Sequence, residues 1–276
     1  LGPELTDALG ALGRAEGATL FMVVAAGLQV LLARYTGQDD FLIGIPVAGR
    51  SRSELDQALG CFINTLALRC DLTGAPDFRE LLGRVRRIAT TALAHDSLPF
   101  DRLVEALQPA RDRTTAPLVQ VLLNFRNLPP ASPSLAGLAV HRLDFRGEAT
   151  MVDLDLEVVA GPDGLQCTLV YAEELFDAAT ADRMLCHLVT LLREAASDPL
   201  RPALEIPFLG DDERRLLLEE RAGSPPPALT ARCLHHLVAE RAAATPSAPA
   251  ILGAGGAMSY GELAARAGSI AAALRA

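Results

Sequence analysis

Apolar residues recur along this chain with two periods, and the change from one to the other marks out its elements. Residues 3–16 and 18–36 read as two helices split at Gly17. In the second, Leu20, Val23, Val24, Gly27, Leu28, Leu31 and Leu32 form a broad core-facing stripe. Residues 41–48 (FLIGIPVA) and 61–69 (CFINTLALR) are short apolar runs that read as buried strands. Helix 77–94 follows, opened by Asp77 and Glu80 as an acidic capping box, with Phe78, Leu81, Leu82, Val85, Ile88 and Ala92 on one face. A shorter helix covers about 100–107, after Pro99. Residues 117–125 (PLVQVLLNF) are apolar on both faces, which predicts a central strand.

Residues 127–137 are rich in Pro, Ser and Ala and read as a loop. Strands are predicted at 138–145, 151–159 and 165–172, the last two joined by the turn sequence Gly161-Pro162-Asp163-Gly164. Asp177 caps a helix over about 178–196, with Met184, Leu188, Leu191, Leu192 and Ala195 inward. Strands and helices mix without a strict βαβ repeat. The pattern therefore predicts an α/β fold, a two-layer sandwich with a mixed sheet.

The texture changes after residue 198. Prolines at 199, 202 and 207, and the run GSPPPA at 223–228, are linker signals around a small helix predicted at 211–221. The charges Asp211-Asp212-Glu213-Arg214-Arg215 open that helix in acid-first order, which suits its dipole. Residues 232–276 are Ala-rich, with two short helices and a Gly-rich turn at 253–256. This stretch is too short to hold a core alone. The expected organisation is a lobe at 1–197, a linker at 198–231 and the start of a further domain at 232–276.

Composition narrows the chemistry. The 276 residues carry a net charge of -9, and every cation among the 25 basic residues is Arg. Such a surface repels phosphate backbones and argues against nucleic-acid binding. No apolar run approaches the ~20 residues of a bilayer span, so no membrane partner is expected. Cys61, Cys70, Cys167, Cys186 and Cys233 form no C-x-x-C pair, which argues against a disulfide framework or a structural zinc site. Free thiols in a reducing cytoplasm are the expectation, with no metal.

Three segments carry a resemblance. Leu59-Gly60-Cys61-Phe62-Ile63-Asn64-Thr65 is similar to I-G-x-F-V-N-T, and His95-Asp96-Ser97-Leu98-Pro99-Phe100-Asp101 to H-Q-D-Y-P-F-E. Arg111-Asp112 through Pro117-Leu118 is similar to R-D-x-S-R-N-P-L. In this order and spacing they resemble the late motifs of the condensation domains of nonribosomal peptide synthetases. Residues 206–218 resemble the linker that leads to an adenylation domain. Met258-Ser259-Tyr260-Gly261-Glu262-Leu263 resembles the entry to that domain.

The resemblance implies a chloramphenicol-acetyltransferase-like lobe, the C-terminal of two that face each other across a tunnel. The implied activity is amide formation between carrier-bound aminoacyl or peptidyl thioesters. The implied partners are upstream and downstream carrier domains, the N-terminal lobe and the adenylation domain. No cofactor binds directly; 4'-phosphopantetheine is carried by the partner carrier domains.

The family's catalytic H-H-x-x-x-D-G motif is not found. The only His pair, His235-His236, is followed by Leu-Val-Ala-Glu-Arg, so catalytic residues are expected to be absent from the chain and the chain to be inactive alone. A non-catalytic scaffold and an epimerisation or heterocyclisation domain of the same fold remain as alternatives.

Gly60, Phe62, Asn64 and Thr65 are the candidate tunnel residues. Asn64 and Thr65 also fit a bland role, a strand end whose polar groups satisfy buried backbone. His95, Pro99, Phe100, Arg111, Asp112 and Pro117 are read as structural. His95 suits the negative end of a helix, Pro99 and Phe100 a helix start, and Arg111 with Asp112 a loop clamp. Asp96, Ser97 and Thr115 depart from the family pattern. Asp153 and Asp155 stand at i and i+2, but the resemblance places that strand structurally.

Overall fold

The computed structural model describes residues 1–50, 54, 58–109, 116–126, 150–220, 233–253 and 256–275. The expected loop at 127–137, the expected strand at 138–145, and Arg111, Asp112 and Thr115 lie outside them. Two compact units appear, Leu1–Arg214 and Arg215–Ala276.

The first unit opens with α1 (Pro3–Ala15) and α2 (Leu20–Thr36), followed by β1 (Asp40–Val47) and β2 (Asn64–Asp71). Then come α3 (Phe78–Leu93), α4 (Phe100–Leu107), β3 (Val121–Arg126), β4 (Leu154–Gly161), β5 (Gly164–Tyr171) and α5 (Ala178–Ser197). The five strands form one sheet in the order β2-β1-β3-β4-β5. The outer pairs are antiparallel, while β1–β3 and β3–β4 are parallel. The sheet is therefore mixed, and β3 lies at its centre as its two-sided apolar character predicts.

Local chemistry sets the element ends. Thr19, Asp77 and Asp177 each accept a backbone N–H from the third residue on, capping α2, α3 and α5. Gly37 ends α2 in the left-handed conformation, the usual glycine stop. Gly161 pairs with Gly164, so Pro162 and Asp163 form a two-residue hairpin loop between β4 and β5.

Side chains alternate across the sheet. Ile43, Ile45, Leu68, Cys70, Leu123, Leu154, Leu156, Val158 and Leu165 are buried against the helices. Residues 22–33 of α2 are all buried, since that helix is packed among α1, α3 and α5. Phe78, Leu81, Leu82, Leu188, Leu191 and Leu192 complete this core at 0–2% exposure. Each such side chain contributes about 1.5–3 kcal/mol by leaving water.

Four expectations shift. β4 runs Leu154–Gly161 where a strand at 151–159 is expected, so Asp153 lies just ahead of it. β2 begins at Asn64, not Cys61, because Cys61, Phe62 and Ile63 lead up to the strand and Cys61 and Ile63 are exposed. β3 begins at Val121 rather than at 117; Pro117 and Leu118 turn the chain first, Leu118 with φ 65°. The helix expected at 211–221 is a short α6 (Asp211–Arg215) followed by a π-helical turn over Leu216–Glu220.

Residues 198–214 pack with the first unit. Phe78 and Arg79 donate their N–H groups to the carbonyls of Arg201 and Pro199, and Ala203 donates to that of Pro76. The second unit holds α7 (Leu234–Ala244), the hairpin β6 (Pro249–Gly253)–β7 (Gly256–Ser259) and α8 (Tyr260–Arg275). The tail therefore contains strands that its composition did not reveal, and α8 is longer than the short helix expected. Ser259 and Glu262 form a reciprocal capping box at the start of α8. Among the described residues no single helix is long and apolar enough to cross a membrane.

Candidate functional site

The described helices cover one face of the sheet. The other face is traced by the strand register. Ala67, Gly44, Leu122, Asp155 and Val170 stand opposite one another in a single row across all five strands. Parallel to it, Thr65 stands opposite Pro46, and Asn124 stands opposite Glu157, which stands opposite Thr168.

The row is closely fitted at Gly44. A side chain there would collide with Leu122, and would also press on Thr65 and Val119. Glycine lets those three converge over the backbone. Glu157 takes a hydrogen bond from Arg126 Nη2 at 3.3 Å. Asp155 differs: its Oδ1 is buried and unpaired. Burial, then the nearby charge of Glu157, pushes its carboxyl above the usual range, against a smaller opposing pull from Arg126.

The candidate tunnel segment borders this face at β2. Asn64 does three things with one amide. Its Nδ2 donates to the carbonyls of Asp96 and Leu98 at 2.9 and 2.7 Å, and its Oδ1 accepts the N–H of Phe100 at 3.0 Å. Asn64 thus clamps the second motif to the first and fixes the start of α4. Its polar groups satisfy a loop's backbone, the bland role that the sequence allowed. Thr65 is the residue of this pair whose side chain lies on the face away from the described helices, next to Gly44.

Gly60 and Phe62 are held from the other side. The guanidinium of Arg50 lies 4.6 Å from the Phe62 ring centroid and donates to the carbonyl of Ala58 at 3.0 Å. Gly49 makes room for this, at φ 61°, where any side chain would strike the Phe62 carbonyl. Arg50 and Gly49 do not stand out in the sequence, although GR after an apolar strand is a usable signal for a turn with a cation behind it.

Of the residues read as structural, four lie within the described residues. His95 follows the end of α3, with Nδ1 2.9 Å from the Thr91 carbonyl. Pro99 precedes α4 and Phe100 is its first residue, half-buried. Pro117 accepts the N–H of Val119 ahead of β3. In the second unit, the sulfur of Cys233 and ring nitrogens of His235 and His236 lie within 4.8 Å of one another, all exposed. Sequence reasoning did not group these three.

A second polar group escaped sequence reasoning entirely. His187 on α5 is 5% exposed, with Nδ1 2.7 Å from the Tyr35 hydroxyl and Nε2 2.6 Å from Glu213. Phe208 packs edge-on against the His187 ring, and Arg34 lies over Phe208. Arg34 also donates to the carbonyls of Leu204 and Ile206. This group seats residues 204–213 on the lobe.

An open mixed sheet with helices on one face is the architecture of the chloramphenicol-acetyltransferase-like condensation lobes. The chain superposes on the X-domain from teicoplanin biosynthesis with a TM-score of 0.71 at 28% identity, covering 76% of this chain and 48% of that one. It superposes on a four-domain nonribosomal peptide synthetase bound to AMP and glycine with a TM-score of 0.75 at 25% identity, covering 99% of this chain and 22% of that one.

Residues 1–218 match the condensation domain family, and the chain belongs to it. It is 37% identical over 268 residues to malpinin synthetase of Mortierella alpina, and 35% identical over 272 residues to bacitracin synthase 3 of Bacillus licheniformis. These alignments cover 97% and 99% of this chain, which spans 4% of the length of each relative.

Proposed function

We propose that this chain is the C-terminal half of a condensation domain, followed by the linker and first residues of an adenylation domain, within a nonribosomal peptide synthetase. The observation that carries this is the pattern of coverage. The chain matches 47% of the first condensation domain of the CDA synthetase and 48% of the X-domain, each across 76% of its own length. The four-domain synthetase, by contrast, matches across 99%. Those proportions fit one lobe of two, with further residues that only a multidomain chain supplies. On this reading the lobe is residues 1–197, the linker 198–231 and the adenylation entry 232–276.

The activity is amide formation. An acceptor amine attacks a donor thioester carbonyl, the C–N bond forms, and the thiolate of the donor arm leaves. The amine's surplus proton goes to a base or to water. The chain's part is positioning: two tethered reactants held in line react as one unit, which removes much of the entropic barrier. Gly60, Phe62, Asn64 and Thr65 form one wall of the passage, with Asn64 fixing the wall and Thr65 presenting its side chain. The apolar stretch Ala67, Gly44 and Leu122 suits the uncharged stem of a 4'-phosphopantetheine arm. That arm belongs to the carrier domains. The partners are those carrier domains, the N-terminal lobe and the adenylation domain, in the cytoplasm.

The test is reconstitution. Residues 1–276 alone should yield no dipeptide from two loaded carrier proteins, while the intact synthetase that contains them should yield one. Product from the isolated chain, or none from the intact enzyme, would overturn the reading.

A second reading has one observation behind it. The X-domain is also seen in a complex with OxyB. A non-catalytic scaffold of the same fold would leave the intact enzyme unable to condense yet able to retain a partner protein.

A further inference from the structure

Among the described residues, one buried side-chain polar atom has no hydrogen-bond partner, and it is Oδ1 of Asp155. Its setting is unusual. Along its row the neighbours are Leu122 on β3 and Val170 on β5, both apolar, with Gly44 and Ala67 beyond. Asp155 is the single charge in that row. Two residues along β4, Glu157 has Arg126 as a counter-ion, whereas Asp155 forms no ion pair among the described residues.

A carboxylate desolvated between Leu and Val costs stability unless it is paired. Burial already makes it hold its proton more tightly than an ordinary Asp. Among the described residues the charge of Arg126 offsets only part of that cost. The group lies on the side of the sheet that the described helices leave uncovered; its Oδ1 is closed to solvent, while the residue as a whole is partly exposed. The chemistry that satisfies such a carboxylate is a compact cation with N–H donors.

We propose that Asp155 binds the α-amine of the acceptor aminoacyl thioester, holding the incoming ammonium against the open face before it becomes the nucleophile. This rests on the reading of the chain as half of a condensation domain. Asp155 is a recognition residue in this scheme, with no bond made or broken on it. Leu122 and Val170 exclude water on either side and so strengthen the contact.

Function and stability should move in opposite directions when Asp155 is replaced. In residues 1–276, Asp155→Asn and Asp155→Leu should melt at or above the wild-type temperature. In the intact synthetase, Asp155→Asn should raise KM for a soluble acceptor aminoacyl-pantetheine thioester about tenfold, the scale of one charge-assisted hydrogen bond, with kcat within about twofold. The desamino analogue, which lacks only the amine, should inhibit wild type and variant equally.

An unchanged acceptor KM in an active Asp155→Asn enzyme overturns the inference alone. So does a lowered melting temperature in both variants, which would make Asp155 a structural residue. A wild-type synthetase that forms no amide with any acceptor overturns the functional reading beneath it.

Discussion

His187 Nε2 on α5 lies 2.6 Å from the carboxylate of Glu213, a residue 26 positions further along the chain. Tyr35 closes the other side of the ring, so both imidazole nitrogens are engaged within a buried site. Replacing His187 by Ala removes two hydrogen bonds and leaves a void beside Phe208. The expected cost is about 2–4 kcal/mol, measurable by urea unfolding. Trypsin should then cut after Arg214 faster than in wild type, since that residue directly follows the segment this group seats.

Asn64→Ala should destabilise the lobe by about 1–3 kcal/mol, since three backbone groups lose their partner. Asn64→Asp should cost more. It would aim a carboxylate at the Asp96 and Leu98 carbonyls that now receive N–H donors. Equal stability of the two variants, by thermal unfolding, would refute the clamp.

Gly49→Ala should cost ~1 kcal/mol or more for the left-handed backbone alone, with a further penalty for displacing the Phe62 carbonyl. Hydrogen exchange of residues 58–63 should rise with it, because the Arg50–Phe62 contact depends on that approach.

Native thiol labelling should divide the cysteines. Cys61, Cys186 and Cys233 are exposed and should react quickly with a disulfide reagent. Cys70 is buried, and burial pushes its thiol far above the ordinary range; Cys167 is raised by burial too. Cys70 should label only on unfolding, and Cys167, partly buried, more slowly than the exposed three. Rapid modification of Cys70 in the folded chain would contradict the placement of β2.

Acid should destabilise the lobe through Asp40, Asp71 and Asp177. The side-chain bond from Arg69 lowers Asp40, those from Thr73 lower Asp71, and the backbone N–H of Thr180 lowers Asp177. A carboxyl whose folded value is depressed adds stability above its unfolded value and loses it as pH falls through the folded one. Unfolding free energy should therefore drop below about pH 4. Asp155 works the other way, so Asp155→Asn should steepen that drop.

Much of this architecture could be read from the chain. Asp77 and Asp177 announce their helices because a short carboxylate before an apolar stripe has a clear capping role. Gly161 and Gly164 announce a hairpin, and three motifs in order announce a family. What could not be read were pairings between distant residues. His187 stands on the core face of an amphipathic helix, and periodicity alone does not show that Tyr35 and Glu213 wait for it. Asp155 looks like one more alternating polar residue, since only strand register reveals the Leu and Val on either side. Cys61 to Ile63 are as apolar as a strand, so composition gives no reason to begin β2 at Asn64. The β6–β7 hairpin is too short to alternate visibly.

The seating of Phe208 and Glu213 bears on how modules of such enzymes can be exchanged. A chimaera joined at residue 197 would give α5 a foreign segment in place of Phe208 and Glu213, exposing an imidazole shaped for partners it no longer has. A crossover placed after Arg214 carries the whole aromatic seat with its lobe. The better cutting point then follows the last side chain that docks, at Arg214, seventeen residues beyond where the helix ends.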